Sequence, residues 1–241
     1  HPAIITKEQH DLVQYELRKR YKQTVQRTGR TKNGRLCFSS RIYCADCSSY
    51  YGSKVWHSTS KYRRIIWQCN HKFSNEVKCS TPHVTEKQIE EAFLSAINKV
   101  AGDISHIIKV YQGMIEMLSD TTALEQQIEE LSLRKRGLTA AMEELVVKNA
   151  NVAQDQDSFM REYQPLNLHH KDLSQQIQSL HIALQERSGR SSALKKAIRT
   201  WGKIGTAVAE FDDEMFIALV DHVTVHPDGS ILFTFMDGST C

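Results

Sequence analysis

Four cysteines carry the most specific chemistry in this chain. Cys44 and Cys47 are separated by two residues, Cys69 follows after 21 more, and Cys79 after a further nine. A Cys-x-x-Cys pair lets two thiolates reach one ion, and two more cysteines at strand ends complete a tetrahedral set of soft sulfur ligands. Zinc suits that donor set best. No redox helix–strand context accompanies the Cys-x-x-Cys, and disulfides are disfavoured in an intracellular chain of this size. The second spacing is longer than an ideal knuckle, so His71, His83 and Cys37 stand as alternative ligands, with Cys241 a free terminal thiol. Four protein ligands leave no position open for water, and the metal is expected to be structural rather than catalytic.

The cysteines lie in the most basic stretch of a chain whose net charge is only +3. Residues 17–84 hold 15 Lys/Arg against Asp46 and Glu76, a balance of +13 that leaves −10 for the rest. Such sorting points to a polyanion-binding head on an acidic body, the alternative being a merely solvated basic face. Cations spaced along an extended segment can follow a phosphate backbone. Arg18, Arg20 and Lys22 end a first helix, and Arg27, Arg30, Lys32 and Arg35 recur through a glycine-broken linker. Lys54, His57, Ser58, Thr59, Lys61, Arg63 and Arg64 cluster about a turn between two strands. A two-stranded ribbon fits the major groove, where Arg or Lys reads guanine and Ser or Thr meets base edges or phosphates. Trp67 is expected in the ribbon core, while Trp56 suits either packing or contact.

The elements that must position these groups follow from pattern. Residues 7–23, with Leu12, Val13, Leu17 and Tyr21, fit an amphipathic helix. From Phe38 to Val84 the runs RIYC, SYYGSKVW and YRRIIWQC alternate with turn-formers and read as a β-meander. Thr85 and Gln88 form a capping box opening a helix with Ile89, Phe93, Ile97 and Val100 inward, and a further helix spans about 103–118.

Two heptad-like stripes come next. The first is Leu124, Ile128, Leu131, Lys135, Leu138, Met142 and Leu145; the second is Phe159, Tyr163, Leu166, His170, Leu173, Ile177, Leu180 and Leu184. The polar segment 148–157 between them predicts an antiparallel helical hairpin, with Pro165 expected to kink its second arm. SGRSS at 188–192 is expected to interrupt that helix, and a separate short helix follows about Leu194, Ile198 and Trp201. The stretch DDEMFIALV then predicts a helix, and Asp228-Gly229 between alternating apolar strands predicts a β-hairpin. The fold class is therefore α+β: a zinc β-ribbon with flanking helices, an inserted antiparallel coiled-coil hairpin and a C-terminal β-hairpin.

The segments HPAIITKEQHDLVQ, RIYCADCSSYYG, YRRIIWQC and KCSTPHVTEKQIEEAF, with the basic linker between the first two, resemble the C-terminal half of the large serine recombinases, the serine integrases of phages and mobile elements. The resemblance covers essentially the whole chain. It implies that 1–28 end a helical recombinase domain, 29–37 are a basic linker, 38–120 begin a zinc-ribbon DNA-binding domain, 121–187 form a coiled-coil arm, and 188–241 return to the ribbon domain. It also implies binding of double-stranded DNA attachment sites, contact between recombinase protomers through the coiled coil in synapsis, and action of a directionality factor on that region. Val146, Val147 and Val152, off the stripe near the arm tip, are the expected partner contacts.

The chain opens at His1 in a segment that reads as a continuation, so a fragment is expected, and the serine nucleophile that the resemblance implies belongs to a domain upstream. No catalytic residue is assigned: Ser39, Ser40, Ser48 and Ser49 lack a base partner. No apolar run reaches the roughly 18 residues a membrane span needs, and no signal peptide is evident, so a cytoplasmic, DNA-associated bacterial protein is expected. The competing readings are a zinc-structured protein-interaction module with an incidental basic surface and, more weakly, a hydrolytic metalloenzyme.

Overall fold

A computed structural model describes residues 3–24, 36–74, 78–151, 156–204 and 207–241. In chain order the elements are α1 (Lys7–Thr24), β1 (Ile42–Cys44), β2 (Tyr51–Trp56), β3 (Arg64–Cys69), β4 (Val84–Thr85), α2 (Glu86–Val100), α3 (Ile104–Ser119), α4 (Thr122–Asn151), α5 (Gln156–Trp201), α6 (Asp213–Leu219), β5 (Val220–Val225) and β6 (Ile231–Phe235). The chain divides into two compact units. One combines His1–Tyr15 with Glu116–Arg190, and the other Glu16–Ile115 with Ser191–Cys241.

The second unit holds two three-stranded sheets, β1-β5-β6 and β2-β3-β4. The expected meander is corrected here. β1 pairs in parallel with β5, Ile42 opposite Val223 and Cys44 opposite Val225, rather than continuing the β2–β3 ladder. The reason lies in what each strand buries: Ile42, Val223 and Val225 are all fully covered, and the C-terminal hairpin offers β1 an apolar neighbour strand of matching register. β5 and β6 form the expected hairpin, turning at Gly229 with φ of 85°.

An aromatic cluster joins the sheets. Phe38 meets Phe216 at 5.1 Å and Trp67 at 6.1 Å between centroids, and Phe93 of α2 meets Phe216 and Phe233 at 5.4 and 5.9 Å. Helix α2 supplies Phe93 because the Thr85 capping box sets its start and its stripe Ile89, Phe93, Ile97 then faces inward. Trp67 is buried, as a core residue of the ribbon should be.

In the other unit, burial follows the two heptad stripes. On α4 the residues Leu124, Ile128, Leu131, Lys135, Leu138, Met142 and Leu145 are partly covered, while their intervening neighbours are mostly exposed. On α5 the second stripe behaves alike, with Leu173 buried. This is the pattern a coiled-coil hairpin requires.

SGRSS does not interrupt the helix: α5 runs unbroken for 46 residues through it, with Pro165 also inside. Gly189 is there for proximity, not to stop the helix. A Cβ on it would stand 2.4 Å from Tyr15 Cβ and 2.8 Å from the Asp11 carbonyl oxygen, so α1 packs directly on its backbone. Ser188 Oγ donates to Asp11 Oδ2 at 2.7 Å, and Gln185 Nε2 reaches Asp11 Oδ1 at 3.5 Å. Burial pushes the Asp11 carboxyl up, but these bonds and one from His10 outweigh it and hold it below its ordinary range. On the same turn Arg187 Nη2 donates to the Met117 carbonyl at 2.7 Å, satisfying an open carbonyl at the end of α3.

Gly189→Leu should therefore separate α1 from α5 despite leucine's higher helix propensity. A loss of about 1–3 kcal/mol is expected from overpacking. Denaturant unfolding of the whole chain measures it, and a stabilised variant would contradict the close approach.

Candidate metal centre and nucleic-acid interface

The four cysteines converge. Their sulfur atoms lie within 4.8 Å of one another, with Cys47 and Cys69 at 3.5 Å and Cys69 and Cys79 at 3.9 Å. Four thiolates about 2.3 Å from a central ion form a tetrahedron with edges near 3.8 Å. The spacing thus fits one tetrahedral soft-ligand ion. Cys44, Cys69 and Cys79 are buried and Cys47 is half-buried, which shields the sulfurs from water.

Each ligand is placed by a different element. β1 ends on Cys44, and β5 locks that end, since the Ala45 amide donates to the Val225 carbonyl at 3.0 Å. The turn to Cys47 closes when the Ser48 amide donates to the Cys44 carbonyl at 2.9 Å, with Ser48 at a left-handed φ of 54°. Cys69 ends β3. Cys79 is held by Asp46, whose carboxylate accepts from the Ser80 amide at 2.6 Å and the Ser80 hydroxyl at 2.9 Å. Those bonds from Ser80 draw the Asp46 carboxyl below its ordinary range. They also answer the long second spacing, because a side chain from the first knuckle positions the second.

The electrostatics call for a cation. Burial, reinforced by Cys47 and Cys44 nearby, pushes the Cys69 thiol far up, and Cys79 is pushed up to about 11, again first by burial. At Cys44 burial also raises the thiol, but bonds involving the Thr81 hydroxyl and the amides of Cys47 and Asp46 outweigh it and leave it lowered. Four adjacent sulfurs cannot all ionise without a positive centre between them. Among the described residues, the alternative ligands His71, His83 and Cys37 are not in the cluster. Cys37 instead approaches Asp213 at 3.5 Å, and His83 packs its ring on Trp56 at 4.5 Å.

That Trp56–His83 contact bears on the basic residues. β2 and β3 pair with Trp56 opposite Arg64, and Lys54, His57, Ser58, Thr59, Lys61, Arg63 and Arg64 all stand exposed along and beyond that end. The Arg64 guanidinium lies 5.3 Å from the Trp56 ring centroid, so Trp56 is held between Arg64 and His83. Burial and the nearby cations Arg64 and Lys72 hold His83 below its ordinary pKa, hence neutral and suited to ring stacking. His83 drew attention in the sequence as a metal ligand; its stacking role had no local signal, because 27 residues separate it from Trp56. Tyr62, exposed at the same turn with Lys61 over its ring, was also unmarked.

Of the other basic candidates, Arg18 sits half-buried on α1. The side chains of Arg20 and Lys22, and all of Arg27, Arg30, Lys32 and Arg35, lie outside the described residues. Val146 and Val147 are exposed near the end of α4, as is Leu133; Val152 lies outside the described residues.

Residues 37–98 match a family described as the recombinase zinc beta ribbon domain. This segment is similar to recombinase zinc ribbons. The match supports the resemblance to a serine recombinase C-terminal region, and the zinc ribbon comprises β1 to β4 and most of α2. No curated protein matches the chain. Among solved structures, one described as a crystal structure of an LSR–DNA complex is similar over 98% of this chain and 65% of that chain, at 12% identity and a TM-score of 0.37. This chain thus spans about two thirds of that chain's length. No helix among the described residues is long and apolar enough to cross a membrane.

Because β1, β3 and the Cys79 loop meet at the sulfur cluster, a strong chelator should unfold residues 38–84 while much of the helicity of α4 and α5 survives. Circular dichroism that collapsed completely on chelation would contradict this division.

Proposed function

We propose that this chain is the DNA-recognition portion of a site-specific serine recombinase, with its zinc ribbon binding attachment-site duplex. The observation that carries the reading is the recombinase zinc ribbon itself, presenting seven exposed polar or cationic side chains at one end of β2 and β3. Cys44, Cys47, Cys69 and Cys79 hold a structural Zn²⁺, which supplies rigidity and charge balance to the knuckles. Lys54, His57, Ser58, Thr59, Lys61, Arg63 and Arg64 meet the duplex, and the cations of residues 18–35 continue along its backbone. Phosphate contacts fix register, and contacts from the ribbon end to base edges discriminate sequence.

The remaining parts take roles consistent with that reading. Residues 1–28 end the recombinase domain, 29–37 link it to the ribbon, 38–120 and 188–241 form the DNA-binding domain, and 121–187 form a coiled-coil arm. Exposed Leu133, Val146 and Val147 on the arm suit contact with a second protomer during synapsis, or with a directionality factor. The chemistry of strand cleavage is assigned to a serine outside this chain.

Arg63→Ala/Arg64→Ala tests the reading. Each lost phosphate contact lowers the slope of log affinity against log salt by about 0.9, so the double variant should lose about 2 from the slope and keep its fold. Titrating fluorescent attachment-site duplex across a salt series measures this. Unchanged slope and affinity would favour an interaction module with an incidental basic surface.

A further inference from the structure

The acidic body contains a second basic segment. Residues 187–209 hold six Lys/Arg and no Asp or Glu, although the chain outside 17–84 carries a balance of −10. The last turns of α5 orient it. Ala193, Leu194, Ala197 and Trp201 are all buried, and that spacing sends Lys195 and Arg199 to the exposed side, with Lys196 half-buried beside them and Lys203 exposed two residues past the helix end.

Lys196, Arg199 and Lys203 line a cleft of about 630 Å³, with Ile204, Asp212 and Glu214 among its other walls. None of the three cations forms an ion pair among the described residues, whereas Arg134 and Arg136 on α4 are paired with Glu130 and Glu129. Asp212 is already committed as the cap of α6, accepting from the Met215 amide at 2.6 Å. A cation in the last turn of a helix complements its dipole, which accounts for Arg199 but not for three cations on one rim.

We infer that Lys196, Arg199 and Lys203 form a second phosphate-contact surface, which takes the sugar-phosphate backbone of duplex DNA. The inference rests on the reading of the ribbon as DNA-binding and extends it to a face of α5. Lys196 and Arg199 are about 4.5 Å apart along the axis of α5 and Lys203 follows two residues beyond its end, so the three can meet successive phosphates of one strand, roughly 3.4 Å apart along the duplex. Glu214 also lines the cleft and disfavours phosphate beside it, and the contact carries no sequence information.

The test uses the whole zinc-loaded chain and a fluorescent duplex of random sequence, titrated across a salt series. K196Q/R199Q/K203Q should lower the log–log slope by about 2–3 and weaken binding at low salt, adding to the loss from Arg63→Ala/Arg64→Ala. Glu214→Gln should tighten binding. The charge-keeping variant K196R/R199K/K203R should retain the wild-type slope; if it falls like the glutamine variant, the loss is structural and the surface is refuted. A glutamine variant with wild-type slope and affinity also refutes it, while the ribbon reading stands on its own variant. A wild-type chain without salt-dependent binding removes both.

Discussion

The parallel pairing of β1 with β5 is the constraint on which the ribbon depends. It joins residues 42–44 to residues 223–225, so the strand that ends on the first cysteine of the cluster is completed by a distant part of the sequence. Everything from the knuckle to α6 is an excursion between two strands that must meet. Closing so long a loop costs entropy that grows only slowly with length, and fully buried Ile42, Val223, Val225 and the Phe38 cluster offset it. The long helical insertion is tolerated for the same reason: it lengthens a loop without changing its ends.

The sulfur cluster is a consequence of that frame as much as of the cysteines. Cys44 is held by β5 through Ala45, Cys69 by the β2–β3 ladder, and Cys79 by the Asp46–Ser80 bonds. Three separate supports bring four thiols to distances suited to one ion, which would neutralise a cluster whose burial opposes ionisation. The exposed end of β2 and β3 inherits this rigidity. Trp56, in contact with Arg64 and His83, packs at the base of the turn from which the cationic side chains project.

Glycine misleads when read as punctuation. Gly189 lies inside α5. A glycine in a helix interior costs roughly 1 kcal/mol against alanine, and here the cost is offset by backbone-level approach of Asp11 and Tyr15. Asp11, Ser188 and Gln185 add a buried polar key to that contact, which matches a charged residue of α1 to donors on a single face of α5.

Local chemistry determined much of this protein from sequence alone. The Cys-x-x-Cys knuckle, the capping box at Thr85, the two heptad stripes and the Asp228-Gly229 hairpin are each set by neighbours within a few turns, and each is present in the structure. Tertiary structure decided what depends on residues far apart: the partner of β1, the Asp46 tie to the second knuckle, the His83 ring on Trp56, and the purpose of Gly189. Periodicity reports which face of an element is apolar, but not which distant surface will cover it. That choice is made by the fit of buried side chains and by polar groups that must find partners, and neither is written in spacing.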